Sequence, residues 1–559
     1  LNKTYSRHLS VFVWIAFGVY LVSAISSLSP DLISYDEPID YHAVTGHVWH
    51  AFQAVRLKAP DYTDIISNTE FYGQYGRLLG WFFFFAHRFF LFGRGSFEQV
   101  VNTSLVDWNL TGYIFFSHLA NILIFLIGGY AVYSIAKRFG SAESWLSLLF
   151  YLTLPVLVGH SLFSTKDVPA AVVYTCFTAS ALRFACLQSR FNYLLIGLTA
   201  GALCNIKVLF FLPVLLTIAL ISFFSRHELD PCWKLNLVKS IAIQVTLTAF
   251  FWLVLTPPAW LNPIEYILNA FQLFSNFHQG GGCTDLLGHQ FCLGNNRLLT
   301  LLYLLGWPLV HLPLILILGV AAYAFSLWRR FSLKSMPSRT DYSSRVQLLL
   351  WLQILIVPSL AVFAGSNLYD ADRHYLFIYP PICIVAANGI FNLASTLSDR
   401  IFRIFRLILA SLIIILMINN LMLSPYQYIY FNEVGRLFAS HRNTSLDYWA
   451  VSAREAVQQS ILYGQLPLQP RLFSAVDFVE PPPFNYALRA MGASVTDDKG
   501  LPGVYFKYRN PGDLRFPPQT GQSRSCDVVH EVHRRQLLFA PLLLSRLYLC
   551  PPADSSLPS

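Results

Sequence analysis

Three short polar stretches hold the residues best suited to chemistry. The first, DLISYDEPIDYHAVTGHVWH (31–50), carries Asp36, Glu37, Asp40, His42, His47 and His50, a dense group for a chain with only 30 carboxylates. A carboxylate at the edge of a hydrocarbon phase can act as general base on an acceptor or bind a cation; solvated loop charge is the plain alternative. His47 and His50 lack matching ligands and read as interfacial residues, not a metal pair. The second stretch, GHSLFSTKDVPAA (159–171), sets His160, Ser164, Lys166 and Asp167 ahead of Pro169, which suits the first turn of a helix. Lys166 beside Asp167 joins a phosphate-binding cation to a carboxylate, or else caps that helix. The third, SNLYDADRHYLF (366–377), gathers Asp370, Asp372, Arg373 and His374 just before an apolar run. Arg373 can make two-pronged hydrogen bonds to phosphate oxygens, and His374 can add a third donor. A lipid headgroup and a lipid-linked phosphate would both suit them. Lys207, alone between two apolar runs, can join the same positive pocket.

The elements that must position these groups are membrane spans. Of 559 residues, 55% are hydrophobic and 12% charged, and the mean hydropathy is +0.49; a soluble domain carries about 25% charged residues. The apolar residues fall in runs of about 20, the length a bilayer crossing needs. A soluble globular enzyme, a disordered chain, a coiled coil and a nucleic-acid-binding module are excluded. The net charge of +9 arises largely from Lys137 with Arg138, Arg183 with Arg190, Arg329 with Arg330, and Arg400, Arg403 and Arg406. Such clusters between apolar runs mark cytoplasmic loops. Spans are expected near 9–29, 119–136, 142–158, 168–186, 191–206, 208–225, 238–256, 300–325, 346–364, 375–394 and 405–423. That gives about eleven crossings, a cytoplasmic N-terminus, an extracytoplasmic C-terminal region, and all three polar stretches on the outer side. The stretch 76–93 is apolar but carries Arg77, His87 and Arg88, which fits an in-plane interfacial helix better than a crossing.

The expected organisation is therefore a transmembrane domain, 1–423, with outer loops 30–118 and 257–299, followed by a small mixed α/β domain, 424–559. Cys283, Cys292, Cys526 and Cys550 fall in outer segments. An oxidising compartment favours pairing Cys283 with Cys292 and Cys526 with Cys550; four reduced small hydrophobes are the alternative. No Cys or His spacing suggests zinc, and there is no P-loop or dinucleotide-binding turn. GGGC (280–283) reads as a flexible flap, flanked by His278 and Asp285. In PYQYIYFNE (425–433), Tyr426, Tyr428 and Tyr430 read as interfacial anchors. Asn432, Glu433, Asp447, Tyr448 and Trp449 could line a sugar site, or serve structure alone.

These features resemble a known family. YDE just after the first span, a second carboxylate in the STKD turn, and about eleven spans followed by an outer domain are similar to the GT-C membrane glycosyltransferases. The nearer resemblance is to the branch holding the protein O-mannosyltransferases and the lipid A aminoarabinose transferases. LYDADRHYLFIYPP (368–381), SPYQYIYFNEVGRL and TSLDYW (424–449) look like motifs of bacterial members of that branch. The resemblance covers most of 9–450. It implies a mainly α, polytopic GT-C bundle in a bacterial inner membrane. It also implies transfer of a sugar, with inversion, from a polyprenyl-phosphate-sugar to a protein, lipid or glycan acceptor at the outer face. Nucleic acid is not an expected partner. Carried onto this chain, Asp36 with Glu37 and Asp167 are the catalytic carboxylates. Lys166, Arg373, His374 and Lys207 face the donor phosphate, and Asp40, His42, His160, Asp370 and Asp372 serve the acceptor or support these groups. No cofactor is certain: some relatives use a divalent cation at the first carboxylate and others do not. Ala371 stands where the family pattern leads one to expect Gly. A transporter or flippase of lipid-linked sugars is the alternative; it would place ionisable residues within spans, and only His118 and His311 approach that depth.

Overall fold

The computed structural model describes residues 2–29, 32–37, 110–164, 166–224, 233–260, 262–276, 283–292, 296–332, 342–466, 472–474, 494–496, 503–509 and 526–550, with a few single positions between 484 and 514. Asp40, His42, His47, His50, the stretch 76–93, His278 and the glycines of the expected flap lie outside the described residues.

The apolar runs form helices: α1 (Asn2–Ser27), α2 (Leu110–Ala136), α3 (Ser141–Thr153), α4 (Pro155–Phe163), α5 (Asp167–Cys186), α6 (Arg190–Ile206), α7 (Phe211–Phe224), α8 (Trp233–Leu255), α9 (Pro263–Asn276), α10 (Arg297–His311), α11 (Leu314–Ser332), α12 (Tyr342–Ala364), α13 (Tyr379–Ala394) and α14 (Asp399–Leu423). Seven are long and apolar enough to cross a membrane, and the bent pairs α3 with α4 and α10 with α11 bring the number to nine among the described residues. The chain is a mainly α, integral membrane protein. The expected spans 191–206 and 208–225 correspond to α6 and α7, helices of 17 and 14 residues. Two of the expected helix boundaries need correction. α2 starts at Leu110, so the end of the first outer loop is already helical. The single span expected over 300–325 is two helices meeting at 117°, because Pro313 lacks the N–H to continue α10 and pushes Leu312 into an extended conformation. Pro155, after extended Leu154, gives the gentler 59° bend between α3 and α4.

Helix packing uses small residues, as expected where lipid removes the hydrophobic drive for association. α11 crosses α13 with Gly319 against Gly389 and Ala386; a Cβ on Gly389 would run into the Gly319 carbonyl. Elsewhere apolar side chains face outward, as Val11, Trp14, Ile15, Val22 and Ile25 do on α1, the arrangement of a helix solvated by lipid.

After α14 the chain folds back over the bundle. A Cβ on Gly159 of α4 would strike the backbone nitrogen of Tyr428, so only glycine lets this segment seat there. Gln427 donates to Ser23 Oγ (3.0 Å). Tyr426, Tyr428 and Tyr430 are at most 1% exposed; the expectation of interfacial anchors is wrong, because their rings fill the joint between helices and outer segment. Asn432 donates to the Leu309 and Leu312 carbonyls at the α10–α11 bend, and Glu433 accepts from the Leu314 amide that opens α11.

Beyond lies α15 (Ser452–Leu462) and a five-stranded sheet of β3 (Leu472–Ser474), β4 (Ser494–Thr496), β5 (Gly503–Tyr508), β6 (Asp527–Arg534) and β7 (Leu542–Cys550), ordered β4-β3-β5-β7-β6. β3 runs parallel to β4 and β5, whereas β7 is antiparallel to β5 and β6. β7, between β5 and β6, is buried along nearly its whole length, so both of its faces are covered. A separate hairpin, β1 (Thr284–Leu286) with β2 (His289–Phe291), is closed by Cys283–Cys292, and Cys526–Cys550 joins the ends of the sheet's last two strands.

Candidate active site

The first polar stretch is set by its own hydrogen bonds. Glu37 turns away from Asp36: its Oε2 accepts from the Ser34 amide (2.6 Å) and its Oε1 from His118 Nε2 (2.6 Å), while His118 Nδ1 donates to the Ser27 carbonyl (2.5 Å). Glu37 thus ties the segment that follows α1 to His118 of α2. Tyr35 N donates to the Trp449 carbonyl (2.8 Å). Asp36, held between them, presents one oxygen to Lys166 (2.8 Å) and Arg373 (3.3 Å).

The neighbours Lys166 and Asp167 do not pair with each other. Lys166 is the last residue before α5 and reaches Asp36, whereas Asp167 opens the helix and pairs with Lys207 (2.5 Å). The Asp167 amide is satisfied by Ser164 Oγ (3.1 Å), and its charge sits where a helix N-terminus favours an anion.

Arg373 is the hub. Its Nη1 lies 3.2 Å from Asp370 Oδ2 and 3.3 Å from Asp36 Oδ2, and its guanidinium stacks on Trp449 (4.8 Å) and Tyr369 (5.1 Å). Arg509, from the end of β5, pairs with the other Asp370 oxygen (2.6 Å). Asp372 faces away from this group, toward His311 (3.0 Å) and Tyr379 OH. Two buried donors, Arg373 Nε and His374 Nε2, meet no hydrogen-bond partner among the described residues. His374 lies in the field of Arg373, Lys207, Lys166 and Asp167.

Support comes from behind. The Val156 carbonyl can only accept, so His160 Nδ1 donates to it (2.7 Å), and Nε2 then accepts from Tyr448 OH (2.8 Å). His160 and Tyr448 back the Trp449 ring that carries Arg373. Of the residues expected to line a sugar site, Asn432 and Glu433 hold the α10–α11 bend, and Asp447 is held by Tyr428 and Ser452. The backbone is strained at this place: Asp370, Ala371, Ala450 and Arg509 all adopt positive φ (55°, 58°, 55° and 72°), a region that costs a residue with a Cβ about 1 kcal/mol or more. Such strain gathers at functional sites. The Gly expected at 371 is thereby explained, since this turn needs a left-handed residue and Ala supplies one at a cost. Arg509 is the residue sequence reasoning missed; it is one of 39 Lys and Arg, at the end of a short strand with no motif around it.

Burial would raise the Asp36 carboxyl, but Lys166 and Arg373 outweigh it and hold it down at about 2. Asp36 is therefore an anion at neutral pH. Both cations meet the same Asp36 oxygen, Oδ2, and among the described residues no group of three His, Cys, Asp or Glu is placed to hold a metal ion.

No family model and no curated protein matches the chain. Solved structures do. The chain is similar to ArnT. The ArnT of Cupriavidus metallidurans bound to undecaprenyl phosphate is 14% identical over 99% of this chain and 100% of that one, with a TM-score of 0.47. The apo form of the same protein is 14% identical over 97% and 98% of the two chains, with a TM-score of 0.45. An oligosaccharyltransferase of Archaeoglobus fulgidus in complex with zinc and sulfate is 10% identical, covering 85% of this chain and 62% of its own, with a TM-score of 0.40.

Proposed function

We propose that this protein is a membrane glycosyltransferase that moves a sugar from a polyprenyl-phosphate donor to an acceptor hydroxyl or amine, with inversion at the anomeric carbon. The observation that carries this reading is the pair of buried donors on Arg373 and His374 that meet no partner among the described residues, set close to Lys166 and Lys207 at the ends of apolar helices. Buried donors left without acceptors are costly, and a phosphate oxygen is the acceptor such a set would take. A polyprenyl tail stays in the bilayer, so the bond to be broken lies at headgroup depth, level with helix ends.

The chemistry follows from the charges. The bond from the anomeric carbon to the phosphate oxygen breaks, the acceptor atom attacks the opposite face, and its proton passes to Asp36. The departing phosphate keeps the electron pair, and Arg373, Lys166 and His374 stabilise the growing charge. Without donor, Lys166 and Arg373 rest on Asp36 and make it a poor base. When phosphate takes them, the carboxyl rises from about 2 and gains basicity as the proton must be accepted. Asp167 holds Lys207 beside the phosphate. Both disulfides belong in an oxidising compartment. The Cys283–Cys292 hairpin touches the loop of Asp370, whose amide donates to Thr284 Oγ1 (3.3 Å). The site thus faces the extracytoplasmic side.

Purified protein in lipid nanodiscs, given a panel of polyprenyl-phosphate sugars and acceptors, should release polyprenyl phosphate from at least one donor, and Arg373→Ala should not. Turnover in Arg373→Ala at the wild-type rate removes the proposed phosphate site.

A further inference from the structure

The sheet domain reaches into the charge cluster with the side chain of Arg509. β5 ends at Tyr508, and Arg509 then turns the chain with φ of 72°. Its carbonyl accepts from the Leu446 amide (2.8 Å), three residues before Trp449. Its guanidinium, 21% exposed, meets Asp370 Oδ1 at 2.6 Å. The opposite oxygen of Asp370 meets Arg373 at 3.2 Å, so one carboxylate is shared by two guanidinium groups, one from the membrane bundle and one from the sheet. Asp370 cannot easily move toward either, because its amide is tied to Thr284 (3.3 Å) and the next carbonyl accepts from Tyr303 OH (2.8 Å).

A carboxylate already neutralised by one cation pulls less on a second, and with little water to screen the site this difference is large. We propose that Arg509 is a positioning residue for the donor phosphate: by occupying Asp370 it keeps Arg373 loosely held, so that Arg373 can transfer to an incoming phosphate. This rests on the glycosyltransferase reading above. Without Arg509, the full charge of Asp370 acts on Arg373 alone across the existing 3.2 Å contact, and the phosphate must overcome that stronger pull to bind. The strained backbone at Arg509 fits this role, since an extended residue continuing β5 would carry the side chain on along the strand. The sheet domain is then part of the donor site and not merely a cover.

The test uses the full chain in nanodiscs and measures polyprenyl phosphate affinity together with donor KM and kcat. Arg509→Ala should raise Kd and KM about tenfold with kcat nearly unchanged, and Arg509→Lys should recover most of the loss. The decisive variant adds Asp370→Asn to Arg509→Ala. Once the carboxylate charge is gone, nothing remains for Arg509 to neutralise, and affinity should return toward wild type. A purely structural Arg509 would lower kcat and Tm together, and Asp370→Asn would deepen the damage. Wild-type affinity in Arg509→Ala, or weaker binding in the double variant than in Arg509→Ala, overturns the inference while leaving the transferase reading intact. If the wild type binds no polyprenyl phosphate, the transferase reading fails and the role of Arg509 fails with it.

Discussion

Asp36 and Asp447 are both buried aspartates, and their surroundings are opposite. Asp36 is met by Lys166 and Arg373 and is held at about 2. Asp447 is met by neutral donors, namely Tyr428 OH (2.5 Å), the Val451 and Ser452 amides (3.1 Å each) and Ser452 OH. Burial pushes its carboxyl up to about 6, against the pull of those hydrogen bonds. Neutral donors suffice to seat a buried carboxylate that only pins the chain. Buried ion pairs are a poor means of stabilisation, because desolvation cancels most of the attraction. Spending Lys166, Lys207, Arg373 and Arg509 on Asp36, Asp167 and Asp370 makes sense when those cations are to be handed to something else.

The largest effect that sharpens this contrast is on turnover. Asp36→Asn should slow polyprenyl phosphate release by about a thousandfold, the scale of a lost general base. Asp447→Asn should instead destabilise by about 1 to 3 kcal/mol, the cost of facing an amide toward donors, while the folded fraction keeps its turnover; equal losses in both would erase the distinction. Arg373→Lys keeps the charge but loses the planar fork and the stacking on Trp449 and Tyr369, and should cost about 100-fold in donor kcat/KM.

Stability against pH separates the two aspartates by sign. The Asp447 carboxyl is raised from 3.8 to about 6, so its protonated form favours the fold: that contribution is complete below 3.8 and is lost as pH rises through 6. The Asp36 carboxyl is lowered from 3.8 to about 2, so its contribution is present above 3.8 and is lost as pH falls through 2. Unfolding in nanodiscs should show a gain of up to about 3 kcal/mol from Asp447 between pH 7 and 4, absent in Asp447→Asn. An identical pH dependence in wild type and variant would contradict the assignment. The smallest effect is at Ala371, where Ala371→Gly relieves the left-handed strain but loosens the unfolded chain. The net gain should be under about 1 kcal/mol, read as a slight rise in Tm.

Much of this was legible in the sequence because hydrocarbon imposes hard rules. Runs of about 20 apolar residues gave most helices, charge bias put three polar stretches on one side, and the same reasoning paired Cys283 with Cys292 and Cys526 with Cys550, as found. What sequence could not show was which charge meets which. Lys166 and Asp167 are adjacent, yet one is the last residue before a helix and the other its first, so their side chains leave in different directions toward Asp36 and Lys207. Glu37, next to Asp36, turns to His118 instead. The bend at Leu312–Pro313 was hidden because one proline within an apolar run can either kink or end a helix. Tyr426, Tyr428 and Tyr430 looked interfacial because the seat of their segment is distant in sequence: Gly159, some 270 residues earlier, gives the Tyr428 backbone its place. Arg509 carried no signal, since its partner Asp370 belongs to another domain.

Polyprenyl phosphate affinity in Asp36→Asn tests most directly whether the resting cations are held in reserve for phosphate. Removing the carboxylate that competes for Lys166 and Arg373 should make the variant bind polyprenyl phosphate more tightly than wild type even as it loses turnover. Weaker binding in Asp36→Asn, or tighter binding with turnover intact, would contradict it.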